Sequence, residues 1–287
     1  MSIIKIIKRI FNKIRSIPQL IYYDGIDAAY FRVLKNFGIK KNYYSIIEKK
    51  KYQLEQKIID LTDRKVIDGI YEGVLLDCKT NRGTYDFATK LLGIYEEQVQ
   101  KIIQKLQVEN DLNYIINFGT ADGYHLIGLL KNKIFDYGFS FEIDEKMNNH
   151  LLENIKLNNL EEKIKLYNNK ADLNFIDSIL KKDELKKTLF LIDIEGDEFN
   201  LFNDTNIEKY KNSYFVIEDH NFYIRDKDKK NYFYEFINKH FKVQSINTGS
   251  RNPYNYKILD SFNDDEKWLI MSEGRPMTMN WLLLSPI

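Results

Sequence analysis

One short segment constrains the fold of this chain more than any other. Residues 113–124 have the sequence NYIINFGTADGY, in which an apolar run leads into a turn with glycines at 119 and 123. The run is typical of a buried strand, and residues 125–131 continue with apolar side chains at helical spacing. Glycine lets the backbone approach a ligand closely. The segment therefore predicts a strand, a tight turn and a helix around a nucleotide site, at the carboxyl edge of an open α/β sheet.

The turn also indicates which nucleotide is bound. A dinucleotide-binding turn has the pattern GxGxxG, whereas here the middle glycine position holds Ala121 and the polar Asn117 precedes the turn. A second predicted strand ends at Glu142, roughly 20 residues beyond the turn, where such folds place an acid on the ribose hydroxyls. The pattern favours a nucleoside ligand without a phosphate to hold. S-adenosylmethionine is the commonest cofactor of that kind on a doubly wound sheet.

Strand and helix patterns alternate from about residue 111 to the end of the chain. The predicted strands cover residues 114–118, 139–143, 164–167, 189–194, 214–217, 241–246 and 281–284. This alternation predicts an α/β fold with a mostly parallel, doubly wound sheet and helices on both faces. The last two candidates have no long helix between them, so we expect an antiparallel last strand.

The first part of the chain has the pattern of helices. We expect helices over residues 3–17, 27–37, 43–59 and 86–106, which gives an N-terminal helical accessory region at residues 1–108 and a cofactor-binding domain at 109–287. Residues 3–17 alternate apolar and basic side chains, a pattern too interrupted for a signal peptide or a membrane span. Two interpretations remain: peripheral contact with an anionic membrane surface, or packing on the protein's own domain or on a partner subunit in an oligomer.

Composition and charge limit the class of partner. The 287 residues are 44% hydrophobic, enough for one full core and an accessory segment. A formal net charge of +1 argues against overall attraction to nucleic acid, so we expect no nucleic-acid partner. The single cysteine, Cys78, cannot form an internal disulfide, as is typical of a reducing compartment. We therefore expect a cytoplasmic protein, at the inner membrane surface if residues 3–17 bind lipid.

Acidic side chains lie at or beyond the carboxyl ends of three of the predicted strands. Asp172 follows the third strand, Asp193 lies at the end of the fourth, and the sequence EDH at residues 218–220 follows the fifth. Because the carboxyl ends of parallel strands meet at one edge of a sheet, we expect these groups to lie together near the glycine turn. A single acidic residue in a loop is a helix cap about as often as it is a site residue. The prediction therefore depends on several acidic residues occurring at the same edge of the sheet.

Two mechanisms compete for these side chains. In the first, Asp193, Glu218 and Asp219 bind a divalent cation such as Mg²⁺, which orients a sugar diol and lowers the pKa of its hydroxyl group. His220 is then the base. In the second there is no metal; Asp193 or His220 takes the proton directly, and the other acids hold substrate hydroxyls. Both mechanisms stay open at this point.

Four motifs carry a resemblance to a known family. They are FGTADGY at residues 118–124, FE at 141–142, IDIEGDE at 192–198, which contains a DxEGxE element, and VIEDH at 216–220. With these motifs the chain resembles the FkbM-type S-adenosylmethionine-dependent methyltransferases, from about residue 71 to the C-terminus. It departs from their pattern at Asn117, where an aspartate is common, and at Ala121, where many methyltransferases carry glycine.

The resemblance implies a Rossmann-like methyltransferase fold and an O-methyltransferase. The acceptors that it implies are polyketides, sugars or polysaccharide components. Of these we expect a sugar or polysaccharide component, of capsule or lipooligosaccharide type, or a sugar nucleotide. The Glu218–Asp219 pair also resembles that of metal-dependent sugar methyltransferases, which keeps Mg²⁺ as a cofactor. The alternative from another class is a catalytically silent scaffold that binds a membrane complex or partner through its basic N-terminal helix. A nicotinamide dehydrogenase is a poorer third option.

The expected site residues fall into four groups. For the cofactor they are Asn117, Gly119, Ala121, Gly123, Tyr124, Glu142, Ile143, Asp172 and Asp193. For catalysis they are Asp193 and His220. For a metal they are Asp193, Glu218 and Asp219. For the substrate, including a phosphorylated or nucleotide-linked sugar, they are Glu195, Tyr223, Arg225, Arg251 and Arg275.

Overall fold

The structure, a computed structural model, describes residues 46–79, 86–275 and 277–287, together with Pro18, Ile21, Tyr22, Ile26 and Tyr30. The predicted helix over residues 3–17 lies outside the described residues, as does nearly all of the helix predicted over 27–37. In the part that is described, no helix is long and apolar enough to cross a membrane.

A single mixed sheet forms the centre of the fold. Its seven strands are β1 (Tyr114–Phe118), β2 (Tyr137–Phe141), β3 (Ile164–Tyr167), β4 (Thr188–Ile192), β5 (Tyr214–Glu218), β6 (Phe241–Asn247) and β7 (Asn280–Pro286). They lie in the order β3-β2-β1-β4-β5-β7-β6, with β1 to β5 parallel and β7 antiparallel to both of its neighbours. The doubly wound sheet and its antiparallel last strand are confirmed. The strand order reverses between β1 and β4, where such sheets bind ligands.

Helices connect the strands. They are α1 (Ile46–Thr62), α2 (Phe87–Leu91), α3 (Glu97–Asn110), α4 (Tyr124–Lys131), α5 (Glu145–Leu157), α6 (Leu173–Ile176), α7 (Lys182–Leu185), α8 (Ile207–Tyr210), α9 (Lys227–His240) and α10 (Asp264–Ile270). The helix predicted over 86–106 is two helices, α2 and α3. Gly93 separates them with a φ of +77°, and a Cβ there would lie 1.8 Å from the Asp68 carbonyl oxygen.

The core explains why the central strands are apolar throughout. Every residue of β4 is buried, and so is every residue of β1 and β5 except the first, because these strands are covered on both faces. Aromatic rings pack beneath the carboxyl ends of the strands; those of Phe118 and Phe141 meet edge to face at 5.1 Å, and those of Phe190 and Phe215 stack at 4.7 Å. The rigid sheet therefore holds the loops that follow β1, β2, β4 and β5 in place.

The chain divides into two compact units, Met1–Lys57 and Ile58–Ile287. This division differs from the predicted boundary between residues 108 and 109. Residues 58–108 belong to the unit that holds the sheet, and the buried ring of Tyr71 packs directly on Gly128 of α4. The sequence pattern shows helices there but does not show what they pack against.

Candidate functional site

The turn after β1 contacts the end of β4 so closely that only glycine fits. Gly119 has a φ of +76°, and a Cβ there would lie 1.7 Å from the backbone oxygen of Asp193. Ala121 also has a positive φ, +53°, and its N–H donates to Oε2 of Glu142 at 2.8 Å. Tertiary contacts thus hold Ala121 in a conformation that an alanine rarely adopts.

Glu142 lies at the end of β2, as expected for an acid that binds ribose. Besides the bond from Ala121, its Oε1 accepts the backbone N–H of Asp144 at 2.9 Å. These bonds fix the carboxylate, and each of its oxygens can still accept a further hydrogen bond. The Glu142 carboxylate is therefore held in one orientation and keeps acceptor capacity on both oxygens.

Two cavities lie at this edge of the sheet and share Gly119 and Asp193. The outer cavity has a volume of about 240 Å³ and lies beside the ends of β1, β2 and β4. Its lining includes Phe141, Glu142, Ile143, Asn169, Lys170, Ala171 and Glu195. It combines an apolar wall with one buried carboxylate at the β2 end. The expected cofactor residues Glu142, Ile143 and Asp193 lie here.

The inner cavity has a volume of about 70 Å³ and lies between the turn and the α2–α3 region. Its lining includes Asp86, Lys90, Tyr95, Glu96, Asn117, Ala121, Asp122, Tyr124, Asp193 and Trp281. Three expected cofactor residues, Asn117, Ala121 and Tyr124, thus face a second compartment. Gly123 is the residue before α4; a Cβ there would lie 2.3 Å from the Leu151 side chain.

Charged groups of both signs line the inner cavity. Lys90 Nζ lies 2.7 Å from Oδ2 of Asp122 and 3.2 Å from Oδ2 of Asp86. Burial lowers the pKa of Lys90, but the two carboxylates outweigh it and the net pKa is raised, so the side chain is an ammonium ion. His125 Nε2 lies 2.7 Å from Oε2 of Glu96. Burial, with Lys90 nearby, lowers the pKa of His125 to about 4, so this histidine is neutral.

Trp281 adds a hydrogen-bond donor without a partner to the same cavity. It lies near the start of β7, opposite Glu218 of β5, with 1% of its surface exposed. Its indole Nε1 is buried and has no hydrogen-bond partner within residues 46–79, 86–275 and 277–287. A buried indole N–H is normally satisfied, so a polar ligand atom is the expected partner.

His220 follows β5 and lies among four carboxylates. Its Nδ1 is 3.1 Å from Oε1 of Glu198. Its Nε2 is 3.6 Å from Oδ1 of Asp193, 3.7 Å from Oε2 of Glu195 and 3.4 Å from Oε2 of Glu218. Burial lowers the pKa of His220, yet the hydrogen bond to Glu198 and the surrounding carboxylates raise it above its ordinary value overall. The expected catalytic pair, Asp193 and His220, is therefore brought together.

The structure does not assemble the expected metal set. Asp219 accepts hydrogen bonds from the hydroxyl of Tyr234 at 2.8 and 2.9 Å and lies away from Asp193, because successive residues of an extended segment point to opposite sides. Glu218 forms an ion pair with Arg275, while burial, with the Asp193 carboxylate nearby, raises the pKa of Glu218. The set that does converge is Asp193, Glu195 and His220; the ligand atoms of these three lie within 4.8 Å of one another.

Three arginines were expected to bind a phosphorylated substrate, and the structure gives two of them another role. Arg275 pairs with Glu96, Glu218 and Glu273, and Arg251 pairs with Glu273 and donates to the Ile94 carbonyl oxygen at 3.1 Å. Both guanidinium groups lie outside the two cavities, and Arg225 is exposed outside them as well.

Of the remaining expected residues, two lie beside His220 and one lies outside the two cavities. Tyr223 stacks on His220 with ring centroids 5.7 Å apart, and Oε2 of Glu195 lies 3.7 Å from Nε2 of His220, so both predicted substrate residues lie beside that histidine. Asp172 is exposed and caps α6 by accepting the N–H of Asn174 at 2.9 Å. It lines a neighbouring groove, and Asn169 to Ala171 take its expected place in the outer cavity.

Sequence reasoning missed much of the inner cavity. Asp86 and Lys90 stand four residues apart on one helical face, which is a recognisable ion-pair spacing, but nothing in it points to a ligand site. Asp122 lies within the glycine turn, so its position in the sequence was sufficient to propose it as a site residue. Trp281 carried no signal, because a tryptophan in an apolar strand is ordinarily a core residue.

Comparison with known proteins provides the following similarities. No family model matches the sequence, and no curated protein matches it. A precorrin-6y C5,15-methyltransferase from Geobacter metallireducens is 11% identical with a TM-score of 0.45, over 75% of this chain and 97% of that one. A putative O-methyltransferase from Klebsiella pneumoniae is 10% identical with a TM-score of 0.45, over 93% and 98%. A putative caffeoyl-CoA O-methyltransferase from Staphylococcus aureus is 12% identical with a TM-score of 0.42, over 80% and 98%.

Proposed function

We propose that this protein is an S-adenosylmethionine-dependent O-methyltransferase that acts on a hydroxyl group of a saccharide. The observation that carries the proposal is the pair of cavities joined at Gly119 and Asp193, one with a ribose-type acid and one with charged groups of both signs. The DxEGxE element and the other motifs that resemble FkbM-type methyltransferases support the same activity.

The residues present fit this cofactor. The outer cavity offers Glu142 to the ribose hydroxyls and Phe141 and Ala171 to an apolar base. The inner cavity, at about 70 Å³, has room for roughly five to seven water-sized groups, since each takes about 10–15 Å³ of such volume. That is the size of an amino acid head group.

The charges of the inner cavity also match the two ends of such a head group. Asp86, Glu96 and Asp122 are acceptors suited to its ammonium group. Trp281 Nε1 and Lys90 Nζ are donors suited to its carboxylate. A ligand carboxylate would satisfy the buried indole N–H that has no partner among the described residues.

The chemistry divides between cofactor and chain. When bound, S-adenosylmethionine would supply a methyl group on a positively charged sulfur, which leaves with the electron pair of the carbon–sulfur bond. His220 would accept the proton of the acceptor hydroxyl at Nε2. Asp193, which lines both cavities, would orient the acceptor.

The charge of the site supports an uncharged, hydroxyl-rich acceptor. Asp193, Glu195 and Glu218 surround Nε2 of His220, whereas Arg251 and Arg275 are engaged by carboxylates. Carboxylates accept hydrogen bonds from sugar hydroxyls and repel a phosphate at the reacting end. We therefore infer a neutral sugar ring at the site of transfer, within a polysaccharide component or the sugar of a sugar nucleotide.

A mass-spectrometric screen tests the proposal. The protein is incubated with S-adenosylmethionine and with capsule-type oligosaccharides or sugar nucleotides, and each is examined for the gain of one methyl group. We expect a gain on a hydroxyl of a neutral ring, and a slower gain with Glu142→Ala at a cofactor concentration that does not saturate the variant. Methylation of nitrogen or carbon in place of a hydroxyl oxygen would overturn the proposed reaction.

A cation mechanism is the second candidate, favoured by the convergence of Asp193, Glu195 and His220. One imidazole with two carboxylates suits Mn²⁺ or Zn²⁺ as well as Mg²⁺. The two mechanisms differ in their response to a chelator. In the metal-free mechanism that we propose, EDTA leaves turnover unchanged; loss of turnover in EDTA, restored by Mg²⁺ or Mn²⁺, would make His220 a ligand instead.

A further inference from the structure

We propose that Glu198, the last acid of the DxEGxE element, is a positioning residue that orients His220 as the base. The inference deepens the proposed function and rests on it. Glu198 lies in a short 3-10 helix, Asp197–Asn200, with 1% of its surface exposed, and it contacts neither cavity. It acts on the acceptor only through His220.

Three hydrogen bonds fix the Glu198 carboxylate. Its Oε2 accepts the backbone N–H of Gly196 at 2.8 Å, and its Oε1 accepts the backbone N–H of His220 at 3.0 Å. The same Oε1 lies 3.1 Å from Nδ1 of the His220 ring. Glu198 therefore holds both the backbone and the ring of the histidine, and joins the loop after β4 to the loop after β5.

The contact at Nδ1 determines which ring nitrogen is basic. A buried carboxylate accepts hydrogen bonds, so the neutral imidazole carries its hydrogen on Nδ1 and a lone pair on Nε2. Tyr223 stacks on the ring at an interplanar angle of 9° and limits its rotation. Nε2 therefore faces Asp193 and Glu195, both of which line the outer cavity.

The contacts of Nε2 with the surrounding carboxylates are longer than ordinary hydrogen bonds. Its distances to Asp193, Glu195 and Glu218 are 3.4–3.7 Å, beyond the ordinary N–H···O range of about 2.7–3.2 Å. These three carboxylates, Glu198 and the Tyr223 hydroxyl are the titratable groups that face the ring, and Arg275 holds the far oxygen of Glu218. A substrate hydroxyl can donate to Nε2 while a neighbouring hydroxyl donates to Asp193 or Glu195.

The proton transfer balances with Glu198 as a spectator. As the acceptor oxygen bonds to the methyl carbon and the carbon–sulfur electron pair leaves with sulfur, the hydroxyl proton moves to Nε2. The ring then carries a proton on each nitrogen, and the Glu198 carboxylate stabilises that positive charge without being protonated. The same arrangement of base and buried carboxylate serves hydroxyl groups in other enzymes.

Substitution of Glu198 tests this role by kinetics. We expect Glu198→Gln to lower kcat on the order of 10²–10³-fold and to leave the dissociation constant of S-adenosylhomocysteine within about twofold of wild type. Glu198→Asp keeps the charge and should recover part of kcat. The control is Glu235→Gln, an exposed carboxylate on α9.

A second measurement needs no variant of Glu198. The ¹⁵N NMR spectrum of the histidine side chains, with His220 assigned by its loss in His220→Gln, reports the tautomer directly. We expect the neutral ring of His220 to carry its hydrogen on Nδ1. A hydrogen on Nε2, or an unchanged kcat in Glu198→Gln, would overturn the inference.

These outcomes are separate from failure of the proposed function. If S-adenosylhomocysteine does not bind the folded protein, the proposed function fails. If it binds with equal affinity to wild type and Glu198→Gln while kcat is equal too, only the positioning role fails. A loss of activity in EDTA that Mg²⁺ or Mn²⁺ restores also overturns the role, because Nε2 is then a metal ligand.

Discussion

At the scale of single residues, Gly119 is the position in the turn after β1 that least tolerates substitution. We expect Gly119→Ala to abolish binding of S-adenosylhomocysteine and to lower the free energy of unfolding by about 3 kcal/mol or more, because the new Cβ meets the Asp193 backbone oxygen at 1.7 Å. Calorimetric titration measures the binding of S-adenosylhomocysteine, and denaturant unfolding measures the free energy of unfolding.

Gly73→Ala is the matched control for that prediction. Gly73 has a φ of +87°, but a Cβ there would have no atom within 4 Å. This variant should show only the cost of a left-handed alanine, about 1–2 kcal/mol, with cofactor binding intact. Equal losses in both variants would show that backbone strain alone, and not the close approach to β4, determines the glycine at 119.

Trp281 gives a prediction about one hydrogen bond. We expect Trp281→Phe to weaken binding of S-adenosylhomocysteine on the order of 10–100-fold, since a bond to a charged group contributes about 1.5–3 kcal/mol. Binding of 5′-methylthioadenosine, which lacks the amino acid head group, should not change. Trp268→Phe is the control, because the Trp268 side chain is 51% exposed. An equal loss for both ligands would show that Trp281 supports the cavity wall without contacting the head group.

At the scale of elements, Arg275 joins the segment before β7 to the rest of the site. It pairs with Glu96 beside α3, Glu218 at the end of β5 and Glu273 after α10. We expect Arg275→Met to lower the free energy of unfolding by about 3–5 kcal/mol, because removal of one partner leaves buried carboxylates uncompensated. Arg225→Met, at an exposed arginine, should change it by less than about 0.5 kcal/mol. Similar values for the two variants would contradict the structural role of Arg275.

The same elements show how far the sequence predicts this molecule. The strands β1, β3 and β5 follow from apolar runs bounded by turns, and the turn at Gly119 with Glu142 locates the outer cavity. Asp219 and Arg275 show what the local sequence pattern does not predict. Position in the chain places both near the site, but Asp219 bonds to Tyr234 on α9, and Arg275 bonds to Glu96 and Glu218 from distant segments as well as to the nearby Glu273. Such pairings depend on tertiary contacts, which local pattern does not contain.

At the scale of the whole molecule, His125 makes stability depend on pH. Burial, with Lys90 nearby, lowers its pKa from 6.5 to about 4 in the folded protein. The unfolded chain therefore binds more protons between these values, so this group's contribution is complete above pH 6.5 and is lost as the pH falls toward 4. The lost contribution is on the order of 2–3 kcal/mol.

Unfolding of wild type and His125→Gln by denaturant at a series of pH values measures this contribution. Glu273 gives a slope of the opposite sign, because burial raises its pKa to about 7 despite the nearby Arg251, so the two proteins must be compared at each pH. We expect the difference in their free energies of unfolding to shrink as the pH falls from 6.5 to 4. A constant difference across that range would show that His125 is not held neutral.

The most direct test of the account as a whole is calorimetric titration of the full-length protein with S-adenosylhomocysteine. We predict saturable binding at one site per chain, no binding of NADH, and a weakening with Glu142→Ala on the order of 10–100-fold, from the loss of hydrogen bonds to the ribose. Absence of saturable binding by S-adenosylmethionine and S-adenosylhomocysteine to the folded protein would contradict the account and leave the scaffold role in its place.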